Sequence, residues 1–414
     1  MFSFQIEARD GLARAGSIVT PHGVIKTPTF SVVGTYGFVR FIPPEMLRAI
    51  GAQVMLSNGY HLFRRSDEMF DGGGLGAVSG WGGPTITDSG GFQAMSLGSG
   101  IGKVVSMDSR DIGQMKTAAP VENRLAKVTD EGVTFANPVD GRLDLFTPEV
   151  SIETQFKIGA DITMAFDELT SIGDSYEYNV EALARTERWA ERSLSHMRLL
   201  HSQHPEQPYQ AIYGVLQGAH YRDLRTSTAR VLGAMDFDGY GLGGAFEKHQ
   251  LGDILGWTNI ILPETRPRHL LGLSRPDDIF VGVANGIDTF DCVAPTREAR
   301  HGRLYTPDGY IDIMKHAYVD NPSAIDPNCD CPTCLSEEGG YISTGLLRRL
   351  LKSHNQAERR LGYAFTSVHN VRFILRLMEQ IRASLIEGTF NEFRSDWLAR
   401  YLPNSNLTGA ANAA

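Results

Sequence analysis

The chain has 414 residues, 42% of them hydrophobic and 21% charged, which excludes a disordered or fibrous chain and indicates one large domain with an appendage. Its 39 Lys and Arg against 48 Asp and Glu leave a formal charge of -9, which argues against non-specific coating of nucleic acid but allows a local basic patch. No uncharged apolar run approaches the ~20 residues needed to cross a bilayer, and residues 1–7 have neither a basic start nor an apolar signal core, so a soluble, cytoplasmic protein is expected.

Short apolar runs that stop at a polar residue or glycine recur at 29–34, 54–58, 85–88, 162–167, 211–217, 237–243, 269–273 and 286–291. Helical patterns lie between several of them. The clearest spans 180–200, where Leu183, Thr186, Ala190, Leu194, Met197 and Leu200 form a stripe and Asn179 offers an N-cap. Eight strands alternating with helices predict a closed (β/α)₈ barrel. Residues 98–147 read as an insertion, 1–305 as the barrel, 306–401 as an appended subdomain with closing helices, and 402–414 as a frayed tail. Between 342 and 400 lie ten basic residues (Arg348, Arg349, Lys352, Arg359, Arg360, Arg372, Arg376, Arg382, Arg394, Arg400) against five acidic ones. That stretch is the positive end of an acidic molecule.

Three of the four cysteines, Cys329, Cys331 and Cys334, fall within six residues. Such spacing suits thiolates wrapping one tetrahedral ion rather than a disulfide framework. A zinc knuckle needs a fourth ligand downstream, with His369 and His354 as candidates. His369 is preferred because it opens an apolar helical pattern (Val371, Ile374, Leu375, Met378, Ile381, Leu385) that would hold the ring rigidly.

A barrel puts its reacting groups at the carboxyl ends of its strands. Asp88, Asp167 and Asp291 each follow such a run, so three carboxylates should face one mouth. Asp88 leads into Ser89-Gly90-Gly91-Phe92-Gln93, where two glycines would let a ligand approach the backbone and Phe92 offers a flat face. Gln217 and Gly241-Leu242-Gly243-Gly244 bring amide groups to the same rim. A flat, polar ligand such as a nucleobase suits these groups.

Asp88-Ser89-Gly90-Gly91-Phe92-Gln93, Phe290-Asp291-Cys292-Val293-Ala294-Pro295-Thr296-Arg297 and the cysteine cluster with His369-Asn370 resemble the bacterial-type tRNA-guanine transglycosylases, over nearly the whole chain. The resemblance implies a (β/α)₈ barrel with a structural zinc subdomain, acting on tRNA in queuosine biosynthesis. Guanine at the anticodon wobble position would be exchanged for a free 7-deazaguanine, either 7-aminomethyl-7-deazaguanine or queuine, through a covalent ribosyl-aspartate. It assigns Asp291 as nucleophile and Asp88 as general acid/base. Ser89, Gly90, Gly91, Asp167, Gln217 and the backbone of Gly244 would bind the base, Phe92 would pack on its face, and Asn58 and Gln93 would orient Asp88. RNA contacts fall to 272–278, with Gly272, Arg275 and Asp278, and to 296–300, with Thr296, Arg297 and Arg300; the basic C-terminal helices would form a phosphate track. A homodimer is also implied. The alternatives are the same exchange at another nucleic-acid site, as in archaeosine-type or DNA-modifying relatives, and a non-catalytic partner subunit. One departure from the family concerns Ala245-Phe246-Glu247-Lys248, where Phe246 is expected to narrow the space for a 7-substituent and Glu247 or a backbone carbonyl to accept from a cationic one, favouring 7-aminomethyl-7-deazaguanine over queuine.

Overall fold

The computed structural model describes residues 1–91, 126–136, 143–335 and 339–405. The chain begins with a three-stranded antiparallel sheet absent from the sequence expectations, β1 (Ser3–Asp10), β2 (Ala13–Thr20) and β3 (Gly23–Thr27). The barrel strands follow as β4 (Thr29–Val33), β5 (Met55–Asn58) and β6 (Thr85–Asp88). After them comes a small sheet, β7 (Lys127–Val128), β8 (Val133–Ala136) and β9 (Leu143–Phe146), within the expected insertion. The barrel resumes with β10 (Ile162–Met164), β11 (Ala211–Leu216), β12 (Gly239–Leu242), β13 (Arg268–Leu270) and β14 (Thr289–Cys292). All eight barrel pairings are parallel, and β14 closes on β4 with Asp291 opposite Ser31. This is the expected (β/α)₈ barrel. Each of the eight apolar runs supplies one strand, because runs buried on both faces lack the alternation of a half-exposed sheet.

The interior is a packed core. Leu56, Ile86, Ile162, Met164, Tyr213 and Val215 fill it, and Ile18 and Ile25 of the N-terminal sheet belong to the same cluster. That sheet covers the amino-terminal end of the barrel. It is fastened by a fully buried ion pair in which Arg14 donates to Asp288 at 2.6 and 2.9 Å, while Asp288 also accepts from the Arg268 amide. One end of the barrel is thus sealed, which leaves the carboxyl ends of the strands as the open mouth.

The long helix after β10 spans Tyr176–Gln203, and its N-cap is Ser175, whose hydroxyl accepts from the Tyr178 amide. Asn179, expected as the cap, lies inside the first turn. It is buried, accepts from Thr170 Oγ1 at 2.7 Å and donates to the carbonyls of Asp174 and Ser175, tying down the loop that follows Asp167.

Beyond the barrel come a hairpin, β15 (Arg303–Thr306) and β16 (Gly309–Asp312), and the helices Thr344–Lys352, Gln356–Glu387 and Phe390–Ser405. His369 sits well inside the second of these, which starts earlier than the apolar pattern suggests. The third continues past residue 402, where fraying is expected, because buried Tyr401 stacks on Trp397 with ring centroids 4.8 Å apart. Residues 406–414 lie outside the described residues. One apolar cluster runs from Phe30, Leu270 and Phe290 of the barrel through Cys331 to Ile374 and Trp397. No helix among the described residues is long and apolar enough to cross a membrane.

Three arginines of the helix Gln356–Glu387 are committed within the chain. Arg372 pairs with Asp330 at 2.6 Å and Glu379 at 2.7 Å, Arg376 with Asp326 at 3.2 Å, and Arg382 with Glu7 and the carbonyls of Gly16 and Thr27. They staple the helix to the cysteine loop and the N-terminal sheet. The expectation of a phosphate track is therefore corrected for these three residues.

Candidate active site and metal site

A cavity of about 340 Å³ opens at the carboxyl ends of the strands, and Asp88, Asp167 and Asp291 all line it. Asp88 is the last residue of β6. Its Oδ1 accepts from the amides of Gly59 at 2.8 Å and Gly90 at 3.1 Å, and its Oδ2 accepts from the Asn58 side chain. Burial pushes its pKa up to about 7 against these hydrogen bonds, and the charge of Asp291 adds to the rise. Asp167, beyond β10, accepts from Gln217 Nε2 at 2.7 Å and Ser89 Oγ at 3.1 Å, and burial raises it to about 6. Asp291 presents Oδ1 to the amide of Gly272 at 3.0 Å and to Nε2 of His269 at 3.1 Å.

Ser89, Gly90, Gln217, Gly244, Gly272 and Arg297 line the same cavity, with Asn58 and His61. Gly91 does not, although its amide donates to Ser89 Oγ at 3.2 Å. Gly90 faces the cavity and Gly91 does not, and both also answer a packing need. A Cβ on Gly90 would stand 2.9 Å from the Tyr60 amide nitrogen, and one on Gly91 would stand 3.0 Å from the Asp167 carbonyl. Phe92 and Gln93 lie outside the described residues. The loop that starts at Asp88 is backed by aromatic rings. Tyr60 packs on Phe135 at 5.4 Å and Phe146 on Phe166 at 5.6 Å, so the insertion's sheet buttresses this side of the mouth.

The wall beneath Gly244 contains a group that sequence reasoning missed. Arg225 is fully buried and donates to the carbonyls of Ala219 at 2.8 Å and Leu216 at 3.3 Å, so it grips both sides of the Gln217 turn. Its Nη2 has no hydrogen-bond partner among the described residues. Gly244 has φ +122°, and a Cβ there would stand 2.2 Å from that Nη2. Phe246 is buried with its ring centroid 5.5 Å from the Arg225 guanidinium, and it does not line the cavity. Glu247 caps the short helix Lys248–Gln250. Both expectations for this loop are corrected: neither Phe246 nor Glu247 reaches the cavity, because the chain turns away immediately after Gly244.

The remaining expected RNA contacts divide. Arg297 is exposed at the cavity rim, and half-buried Arg300 feels both burial and the charges of Arg40 and Arg297, all of which lower its pKa. Arg275 pairs with Asp277 at 3.3 Å. The side chains of Asp278 and Thr296 are buried, Asp278 against Lys248 at 3.0 Å and Thr296 on the carbonyl of Val293 at 3.3 Å, so neither offers its side chain to a ligand. His269, inside β13, is the other functional group that sequence reasoning missed. A lone histidine in an apolar run reads as core, and only its inward register below Asp291 gives it away.

Cys329, Cys331, Cys334 and His369 are all buried, with their ligand atoms within 4.8 Å of one another. Nδ1 of His369 stands 3.7, 3.6 and 3.3 Å from the three sulfurs. A tetrahedral zinc with bonds of ~2.3 Å to sulfur and ~2.1 Å to nitrogen needs such edges of ~3.5 Å, so the donors fit one ion. Nε2 of His369 lies 2.8 Å from the Tyr305 carbonyl, an acceptor that keeps the ring proton on Nε2 and leaves Nδ1 for the metal. Four protein donors leave no position for water, so the site is structural. His354 is exposed on the surface and takes no part.

A parallel barrel with three carboxylates at its mouth, two of them with raised pKa values, and a closed Cys₃His knuckle at its side defines an enzyme of the (β/α)₈ class. The sequence profile described as queuine tRNA-ribosyltransferase matches residues 10–403. Proteins named queuine tRNA-ribosyltransferase from a Roseiflexus species and from Streptococcus pyogenes are each 40% identical to the chain, over 96% of it and 99% of the relative, and over 94% and 93%, respectively. One from Herpetosiphon aurantiacus is 38% identical over 97% of the chain and 93% of its own length. The chain belongs to the queuine tRNA-ribosyltransferase family.

Proposed function

We propose that this protein is a tRNA-guanine transglycosylase, a pentosyltransferase that replaces guanine at the anticodon wobble position with a free 7-deazaguanine by double displacement. The observation that carries the reading is one cavity holding two carboxylates in contrasting environments. Asp88 is pushed up to about 7 and so holds a proton near neutrality, while Asp291 is held through Oδ1 by the Gly272 amide and His269 Nε2 and leaves its Oδ2 without a hydrogen bond from the described residues. Asp291 attacks C1′ of the ribose as the bond from C1′ to the base breaks, and the electron pair leaving with guanine takes the Asp88 proton. The incoming base then gives a proton back to Asp88 as its nitrogen displaces the Asp291 oxygen, with retention at C1′.

Asp167, Gln217 and Gly244 form the recognition edge. A carboxylate suits the adjacent N–H groups of a guanine edge, and Gln217 Oε1 has no partner among the described residues until a ligand supplies one. With Phe246 withdrawn, the loop after Gly244 sets no barrier to a bulky 7-substituent. Arg297 at the rim and Arg300 beside it would hold the RNA next to the splayed base. Family resemblance supports a cytoplasmic homodimer.

The test is exchange of labelled guanine into unmodified tRNA, followed by a panel of 7-deazaguanines. An Asp291→Asn variant should form no tRNA adduct on a denaturing gel, since an amide cannot trap the ribose cation. An adduct from that variant would refute the nucleophile assignment.

A further inference from the structure

We propose that His269 is a positioning residue for the nucleophile, holding one oxygen of Asp291 so that Oδ2 is the atom that bonds to the ribose. The inference rests on the reading of Asp291 as the nucleophile and adds to it the device that aims the carboxylate.

His269 on β13 and Thr289 on β14 are register partners, and Asp291 follows two residues after Thr289 on the same inward face. The imidazole is completely buried between them. Its Nδ1 lies 2.8 Å from Thr289 Oγ1, and its Nε2 lies 3.1 Å from Asp291 Oδ1. A carboxylate only accepts, so Nε2 carries a proton, and in the neutral ring Nδ1 then accepts from the Thr289 hydroxyl. The carboxylate thereby fixes the tautomer, and the Thr289 hydroxyl holds the ring from the other side. The Gly272 amide donates to the same Oδ1 from the other strand end at 3.0 Å. Two donors converge on Oδ1, while Oδ2 receives no hydrogen bond from the described residues.

This asymmetry bears on both half-reactions. When the lone pair of Oδ2 forms the bond to C1′, Oδ1 becomes the ester carbonyl oxygen and keeps both donors. When the incoming base displaces the ester, the electron pair of the breaking bond returns to the carboxylate, and the same two donors receive the growing charge. A histidine preorganised from the layer below holds the carboxylate plane without occupying the cavity, where the ribose must sit. His269 does not line the cavity, so it acts through Asp291.

The experiment compares steady-state exchange by His269→Phe, His269→Gln and Thr289→Val with the unaltered enzyme, using unmodified tRNA and labelled guanine. Losing one hydrogen bond to a charged group that must be aimed should lower kcat by about 10- to 100-fold in His269→Phe, with KM for tRNA and guanine within about twofold of the parent. Glutamine can donate from nearly the same place and should recover much of the rate. Thr289→Val keeps the ring but leaves Nδ1 without the hydroxyl that holds it, and should cost about threefold to tenfold. If His269→Phe misfolds, the other two variants decide. Unchanged kcat in Thr289→Val together with no kcat difference between His269→Gln and a folded His269→Phe would overturn the proposal, as would losses confined to KM. Asp291→Asn run alongside separates the two readings. If it still forms an adduct, the nucleophile assignment has failed; if it is dead while the His269 and Thr289 variants turn over normally, only the positioning role has failed.

Discussion

The proposed double displacement asks Asp88 to be an acid in one half-reaction and a base in the next, and a carboxyl with a pKa of about 7 can do both at neutral pH. Burial supplies most of the rise, the neighbouring charge of Asp291 adds to it, and three donors from Asn58, Gly59 and Gly90 restrain it. Expulsion of guanine needs the protonated form, so kcat/KM for tRNA should fall as pH rises through about 7. The Asn58 donor favours the ionised form, so Asn58→Ala should move this alkaline limb to higher pH, alongside a stability loss of about 1 kcal/mol because Asn58 also caps the helix Gly59–Leu62. A pH profile of kcat/KM for both proteins checks it, and a limb that stays in place would detach Asn58 from the titration. At this scale the sequence was informative wherever a residue's meaning follows from its position along a strand. Asp88, Asp167 and Asp291 all stand at carboxyl ends, where a barrel has its mouth. It was silent about His269 and Arg225, whose importance depends on which way a buried side chain points, and it misled at Phe246, which follows the cavity-lining Gly243 and Gly244 by two residues while its own ring packs against Arg225.

At the scale of elements, the loop after β12 and the cysteine knuckle show two ways of fixing a segment. The loop is held by what it lacks, since Gly244 at φ +122° lies against an arginine that a Cβ would strike. Gly244→Ala should therefore displace the wall of the cavity, at about 1–3 kcal/mol of strain, and raise KM for guanine by tenfold or more while the zinc content stays at one per chain. Isotherms for guanine with the two proteins measure this directly. The knuckle is held by its ion, and the sequence revealed it because metal ligands are local in the chain. For the distant ligand the chain offered two downstream histidines, and helical periodicity selected His369, although the helix itself begins well before that pattern. Cys331→Ser should lose the ion and lower the melting temperature by roughly 5–10 °C, because Cys329, Cys331 and Cys334 belong to the apolar cluster that joins the C-terminal helices to the barrel. Metal analysis and a thermal melt test both halves, and a variant that keeps one zinc with an unchanged melt would contradict them.

Over the whole molecule, the cost of building this site should be visible in how stability depends on pH. Asp88 and Asp167 are held above the ordinary carboxylate range, to about 7 and about 6, by burial foremost. In the unfolded chain both ionise near pH 4, so between pH 4 and 7 the folded state binds more protons than the unfolded one. The sign follows: each group's penalty is absent below about pH 4, grows as pH rises, and is complete above its folded pKa. Carboxylates in ion pairs act oppositely. Asp330, hydrogen-bonded to Arg372, is held below its usual value and loses its contribution only as pH falls below about 4. Acidification through pH 7 to 5 should therefore relieve the active site while leaving such staples intact. Asp88→Asn isolates one of the two groups. Its amide meets the Asn58 donor less well than a carboxylate does, but that cost does not titrate, so it cancels when stability differences are compared across pH. Relative to the variant, the parent protein should lose stability as pH rises from 4.5 to 7.5, with a limiting slope of about 1.4 kcal/mol per pH unit, and the difference should level off above about 7.5. Denaturant unfolding of both proteins at several pH values measures it. A difference that does not change with pH would mean that Asp88 ionises as readily in the folded protein as in the unfolded chain, and its role as the proton carrier would lose its physical basis.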